Sequence, residues 1–241
     1  MPFTGSHPAA ILPFLRTTLP ASALVIGSMT PDIPYYLPVG LPWVTHSAGA
    51  VVSTDVLLGG LTWALWHGVL AAPALATAPA GLRARLAGRV PTGLRVCLPQ
   101  LALVVAALVV GAATHVLWDE FSHAHRWGTA HIPALSRMWG PWPGYLWVQE
   151  LSGLAGATIL IVWLVRWWRR TPPQPEAGSP ARLWAWAVLA ATGVAAGGLA
   201  ARGAPTIGSA GFAGVTAAGG AVLAVAVVLA LAWHVRRRTA G

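Results

Sequence analysis

The sequence predicts an all-α, polytopic integral membrane protein: a helical bundle of about five full spans with an N-terminal membrane-associated helical hairpin. Three observations predict it. First, 56% of the 241 residues are hydrophobic and 9% are charged, where a soluble globular domain carries about 25% charged residues. Second, the apolar residues run in long uninterrupted blocks, among them 23 uncharged residues over 96–118, and a crossing needs about 20. Third, the basic residues, all of them arginine, cluster in alternate loops between those blocks. The 14 tryptophans suit interfacial belts. A formal charge of +9 could suggest nucleic acid. There is no basic face interleaved with aromatics, however, so nucleic acid is not an expected partner. The single cysteine, Cys97, excludes an intrachain disulfide and a cysteine-based metal knuckle; a small buried residue is expected there.

Taken in order, residues 1–46 lack the basic start of a secretory signal, and Pro8, Pro13 and Pro20 interrupt their apolar part. Ser6 can cap a short helix that begins at His7 and Pro8, and Pro20 can start a second running to about Gly27. Only fifteen uncharged residues separate Arg16 from Asp32, too few for a full span. A re-entrant or interface-lying hairpin is expected, with His7 and Asp32 near one membrane surface. Residues 47–72 form the first clear span, interrupted by Asp55. A carboxylate inside a span is costly and turns toward protein or a polar cavity; Arg16 or a histidine is its expected partner.

Residues 73–95 read as an Arg-rich loop, 96–118 as the second span, and 119–144 as a polar loop that ends in aromatic and proline residues. Residues 145–165 form the third span, with Gln149 and Glu150 in its first turns. A linker over 166–182 and two Ala- and Gly-rich spans, 183–201 and about 212–234, complete the chain. The expected organisation is a membrane domain over 1–165, a cytoplasmic linker over 166–182, and a pair of C-terminal transmembrane helices over 183–241. Eleven arginines fall in the 73–95 loop, the 166–182 linker and the C-terminus, against three (Arg126, Arg137 and Arg202) on the opposite side. The positive-inside rule then places the C-terminus in the cytoplasm and the His-rich loop outside, in a bacterial inner membrane.

The stretch 111–131 concentrates chemistry. It holds four of the eight histidines and two of the six acidic residues. His115 and Asp119 stand four apart and share a helix face. The predicted topology brings His46, Asp119 and Glu150 to the same outer surface. Imidazole and carboxylate in a compact shell suit a borderline or hard divalent cation. The candidate ligands are His7, Asp32, His46, His115 and Asp119. His123, His125 and His131 read as loop or outlying residues, and His67 and His234 as structural groups on the cytoplasmic side.

The N-terminal MPFTGSHPAAILPF, the following SALVIGSMTPDIPYYL, the THS at 45–47 and GAATHVLWDEFSH carry a resemblance over residues 1–160. They resemble the membrane proteins grouped as domain-of-unknown-function family 4184. That family is similar in turn to the inner-membrane metal-dependent hydrolases typified by YdjM. Those proteins carry a THS signature, matched by Thr45, His46 and Ser47. They also carry a small-xx-SH-xxx-D signature, matched over 111–119 with Thr114 in the place of the usual serine. Where members often show a Gln-His pair, this chain has Gln149 and Glu150.

The resemblance implies a membrane-embedded hydrolase. One or two divalent ions, Zn2+ or Mn2+, would sit on His46, His115 and Asp119, with His7 and Asp32 completing the site. The metal would lower the pKa of a bound water and polarise a phosphoryl or ester oxygen. Asp32 or Glu150 would take the proton as the catalytic base. A site at the outer face suits a membrane lipid or lipid-linked envelope substrate. The alternatives are a small-solute or ion transporter with Asp55 in its pathway, and a non-catalytic, metal-stabilised scaffold. The first would be expected to show internal repeats, and none is found.

Overall fold

The computed structural model describes residues 4–37, 43–94, 97–174 and 183–239. The described chain is overwhelmingly helical, with one two-stranded ribbon. Five helices or helical runs are long and apolar enough to cross a membrane: Ala48–Thr77, Leu98–His131, Gly144–Arg170, Leu183–Ala201 and Ile207–Thr239. This is the build of a multi-pass membrane protein. The chain divides into two compact units. One comprises Met1–Pro34, Leu41–Trp63 and Val96–Trp167; the other comprises Tyr35–Gly40, Ala64–Arg95 and Trp168–Gly241. The second unit takes the second half of the first span along with the C-terminal helices. Arg95, Arg182 and much of the linker expected over 166–182 lie outside the described residues.

The first unit opens with a 3-10 helix, Thr4–Arg16. Runs of this geometry usually last three or four residues. Here Pro8 and Pro13 each remove an N–H, so no continuous i→i−4 ladder can form. Pro20 adopts extended geometry, and α1 follows it over Ala21–Met29. A second 3-10 segment, Thr30–Tyr36, contains Pro34 and carries Asp32 in its first turn. The N-terminal region is therefore a helical hairpin, as its length requires.

The next elements are α2 (Ala48–Val51), capped by the Ser47 side chain accepting from the Ala50 N–H at 3.1 Å, and α3 (Thr54–Leu65). A π-turn over Trp66–Leu70 and α4 (Ala71–Thr77) finish the first span. After α5 (Ala80–Leu86) comes α6, Leu98–Ser122. Cys97 precedes it and is exposed, not buried as expected; it stands before the first helical turn, where no neighbouring element covers it.

The helices α1 and α6 cross with almost no separation. A Cβ on Gly111 would lie 2.5 Å from the Leu24 carbonyl oxygen and 2.6 Å from the Ser28 nitrogen, and one on Gly27 would lie 2.5 Å from the Leu108 carbonyl oxygen. Ala23, Leu24, Ala107 and Leu108 are buried at this crossing with Ile11, Val104 and Trp63. Inside a bilayer, lipid tails are as apolar as leucine, so close packing of small residues is what holds helices together. The contact has a functional consequence: it brings the Ser28 backbone within reach of a side chain on α6.

Residues 119–144 are not the polar loop expected. The helix α6 continues to Ser122, and α7 (Trp127–His131) and α8 (Pro133–Ser136) follow. A ribbon pairs β1 (Met138–Trp139) with β2 (Trp142–Pro143), turning at Gly140 with φ +67°. Local bonds order this segment. Glu120 accepts the Trp127 N–H at 2.7 Å at the start of α7, and the Trp139 and Trp147 indoles donate to the carbonyls of Ala134 and Trp139. Helix α9 (Gly144–Arg170) follows.

In the second unit, α10 (Leu183–Ala201) and α11 (Ile207–Thr239) form a tight antiparallel pair, and a Cβ on Gly197 would lie 2.8 Å from the Gly214 carbonyl oxygen. His234 donates to the Val69 carbonyl oxygen at 3.0 Å, and His67 to that of Pro91 at 3.0 Å. Both histidines tie backbone segments of this unit together, as expected of structural residues.

Candidate metal centre

Four separate stretches of the first unit deliver buried donors to one point. The first 3-10 helix supplies His7, the second supplies Asp32, the turn before α2 supplies His46, and α6 supplies His115 and Asp119. All five are buried, with His115 at 0% and Asp32 at 1% exposure. Their ligand atoms form two groups, His7–Asp32–His115 and His46–His115–Asp119, each within 4.8 Å. His115 belongs to both, so the two groups adjoin.

His115 is the most constrained. Its Nδ1 lies 2.8 Å from the Ser28 carbonyl oxygen. A carbonyl only accepts, so Nδ1 carries the proton, and Nε2 points into the cluster. Metal-binding histidines are oriented in this way, by donating the second ring N–H to a carbonyl or carboxylate. His115 Nε2 is 3.6 Å from Asp32 Oδ1 and 3.4 Å from Asp119 Oδ2, and it makes no hydrogen bond among the described residues. A lone pair facing two carboxylates is repelled unless a cation or a second proton lies between them.

His46 is held in a left-handed backbone conformation, φ 59°. Such conformations in residues other than glycine cost about 1–3 kcal/mol and persist only where the surroundings impose them. Arg126 donates to the His46 carbonyl oxygen at 2.8 Å, and the Thr45 hydroxyl meets His46 Nδ1 at 2.9 Å. His46 Nε2 is thereby aimed at Asp32 Oδ1, 3.1 Å away, and Asp119 Oδ2, 3.4 Å away. The three residues of the THS motif divide the work. Thr45 orients the ring, His46 reaches the cluster, and Ser47 starts α2.

Asp32 receives the Thr4 hydroxyl on Oδ2 at 2.6 Å, which leaves Oδ1 for the histidines. Burial pushes its carboxyl up, but His115 and His46, when protonated, outweigh burial and hold it below the ordinary carboxylate range. His7 stacks on His115 with ring centroids 3.8 Å apart, and its Nε2, 3.8 Å from Asp119 Oδ1, makes no hydrogen bond among the described residues. Burial, reinforced by the neighbouring His115, lowers the His7 imidazole to about 4. It is therefore neutral at pH 7, the form that binds metal. Asp119 Oδ1 is also without a hydrogen bond among the described residues, although His123 Nδ1 stands 3.4 Å away. Three nitrogen and two oxygen donors, with unpaired buried atoms on three of the five residues, fit a borderline divalent cation.

The structure thus brings together all five of the candidate ligands. Glu150 is not among them. It lies exposed on α9, where the Gln149 side-chain amide approaches it at 3.5 Å. The buried neighbour is Gln149, and consecutive helix residues point about 100° apart. His125 has φ 60° and lies beyond the end of α6, and His131 donates to its own helix at Trp127. Sequence reading missed Thr4, the Ser28 carbonyl and Arg126. No spacing rule marks a hydroxyl or carbonyl that meets its partner across the fold.

Asp55 is 1% exposed, inside the first span. Both its oxygens lack a hydrogen-bond partner among the described residues, and His46 and His115 reach it only through charge. Arg16 ends the first 3-10 helix in an exposed position and does not bring its charge inward.

Helical spans around a buried His/Asp cluster define a multi-pass membrane protein with a candidate metal centre. Residues 1–236 match the family described as Domain of unknown function (DUF4184). The chain belongs to that family. No curated protein and no solved structure matches the chain significantly.

Proposed function

We propose that this protein is a membrane-embedded, metal-dependent hydrolase acting on a phosphoryl or ester bond of a lipid-like substrate at the outer face of a bacterial inner membrane. The observation that carries the metal is the unpaired His115 Nε2, fixed by Ser28 and facing Asp32 and Asp119 at 3.4–3.6 Å. The hydrolase step rests on the donor set and on the likeness of the THS and small-xx-TH-xxx-D motifs to those of metal-dependent hydrolases. A divalent ion of the Zn2+ or Mn2+ kind would activate water and polarise the scissile oxygen. His7, His46, His115 and Asp119 would hold it. Asp32 has one oxygen engaged by Thr4 and the other in the cluster, and it is the better placed of the two proposed bases. Glu150 is exposed on α9.

The test is elemental analysis of the detergent-purified protein, after purification without chelator and metal add-back. Wild type should hold stoichiometric metal, His115→Ala should lose it, and His131→Ala should keep it. Wild type devoid of metal ends this reading.

A second reading has one observation in its favour. Asp55 is a buried carboxylate within a candidate span that accepts no hydrogen bond among the described residues, and such residues line ion or proton paths. In that reading the protein transports a small ion, and Asp55→Asn abolishes uptake in vesicles while leaving bound metal in place.

A further inference from the structure

A groove of about 240 Å³ runs beside the cluster in the first unit, and His7 forms part of both. Its walls come from the first 3-10 helix, α6 and α9. Ala9, Ala10, Ala155, Gly156 and Ile159 make it apolar. Two polar groups on the wall are already engaged: the Trp118 indole donates to Ser152 Oγ at 3.0 Å, and the Ser152 hydroxyl donates to the Gln149 carbonyl oxygen at 3.2 Å. Gly156 sets the spacing of the walls, since a Cβ there would lie 2.9 Å from the Ser6 carbonyl oxygen.

The volume and chemistry favour hydrocarbon. At about 30 Å³ per water-sized group, the groove holds roughly eight such groups. A polar molecule would lose its water here and find almost nothing to replace it. The groove also lies on two membrane-crossing helices, α6 and α9. On α9 the residues outside it, such as Leu154 and Ile161, are exposed and apolar. A chain can therefore enter sideways from the bilayer and end at His7, next to the donors.

We infer that this groove holds an acyl chain of a membrane phospholipid, whose headgroup then lies at the His/Asp cluster. The headgroup half rests on the metal-centre reading; the chain half stands on the groove alone. It makes Ala155 and Ala10 specificity-determining positions, because a larger side chain at either would fill the channel.

The experiment uses the full chain in vesicles of phosphatidylglycerol and phosphatidylethanolamine. A trace of phosphatidylglycerol carries a photoreactive diazirine in mid-chain. After irradiation, adducts are mapped along α9 by mass spectrometry. Ala155 and Ile159 should carry several-fold more adduct than Leu154 and Ile161, which sit on the opposite side of the same helix. Ala155→Phe, or Ala10→Phe from the facing wall, should remove that excess while metal content stays at the wild-type level. Equal labelling of the two faces overturns the inference, and so does an excess that survives both substitutions. Metal measured in the same samples separates the two readings. Bound metal without groove labelling sinks the groove alone; groove labelling without metal sinks the hydrolase and leaves the groove standing.

Discussion

His115 Nδ1 donates to the Ser28 carbonyl oxygen at 2.8 Å, between residues 87 apart in the chain. That bond exists because glycine at 111 and 27 lets α6 touch the backbone of α1. Gly111→Ala should therefore act twice. A Cβ would meet the Leu24 carbonyl oxygen and the Ser28 nitrogen, so α1 must move, at a cost of about 1–3 kcal/mol for an overpacked contact. The Ser28–His115 bond should stretch with it. Thermal unfolding in detergent should show a lowered midpoint, and metal content should fall together with it. A lowered midpoint with full metal would show that the crossing supports the fold and not the ligand.

Thr45→Val removes the hydroxyl beside His46 Nδ1 and little else in shape. Loss of a group that orients a metal-bound histidine costs about 10–100-fold in metal affinity. Competition with a graded series of chelators measures this directly. Thr158→Val on exposed α9 should leave affinity at the wild-type value, since Thr158 bonds only to its own helix at Leu154.

Asp55 gives opposite expectations for stability and activity. Its unpaired oxygens make the buried carboxylate a net cost to the fold, about 1–3 kcal/mol or more for an unsatisfied buried group. Asp55→Leu should raise the unfolding midpoint. If Asp55 serves the protein's activity, the same variant loses that activity while remaining well folded. A folded, fully active Asp55→Leu protein would show that the residue has no functional role.

The metal-free protein should lose stability in mild acid through His7. Its folded-state pKa is lowered from 6.5 to about 4. Between those values the unfolded chain binds the proton and the folded chain does not, so stability falls as pH drops from 6.5 toward 4. At about 1.4 kcal/mol per pH unit, the whole window is worth at most roughly 3.5 kcal/mol. His7→Asn should flatten the unfolding midpoint across this window. An unchanged slope in the variant would assign the acid sensitivity to other groups.

A reporter enzyme fused after Gly241 should be active only in its cytoplasmic form, given the excess of arginine on that side. The same fusion placed after Arg137 should be active only outside. The reverse pattern would turn the whole topology over and put the metal centre on the inner face.

The sequence by itself determined the class of the molecule. Long charge-free runs can only be helices in lipid, because every backbone N–H and C=O must be satisfied within the segment. Fifteen residues between Arg16 and Asp32 cannot cross, so a hairpin was readable there. The pairing of His115 with Asp119 followed from the helical repeat alone. His7, Asp32 and His46 were readable as donors because each falls at the same predicted membrane edge. What joins them to His115 and Asp119 was decided by tertiary structure. The Thr4 hydroxyl reaches Asp32 across 28 residues and Arg126 reaches the His46 carbonyl across 80. The ordering of 119–144 and the lack of a hydrogen bond to Asp55 among the described residues were likewise settled by packing. Helical periodicity orders residues about one turn apart, but the distance between two helices is set by the side chains that are missing between them. Here those are the absent Cβ atoms of Gly27 and Gly111, and no spacing within either helix reports what the other will place against them.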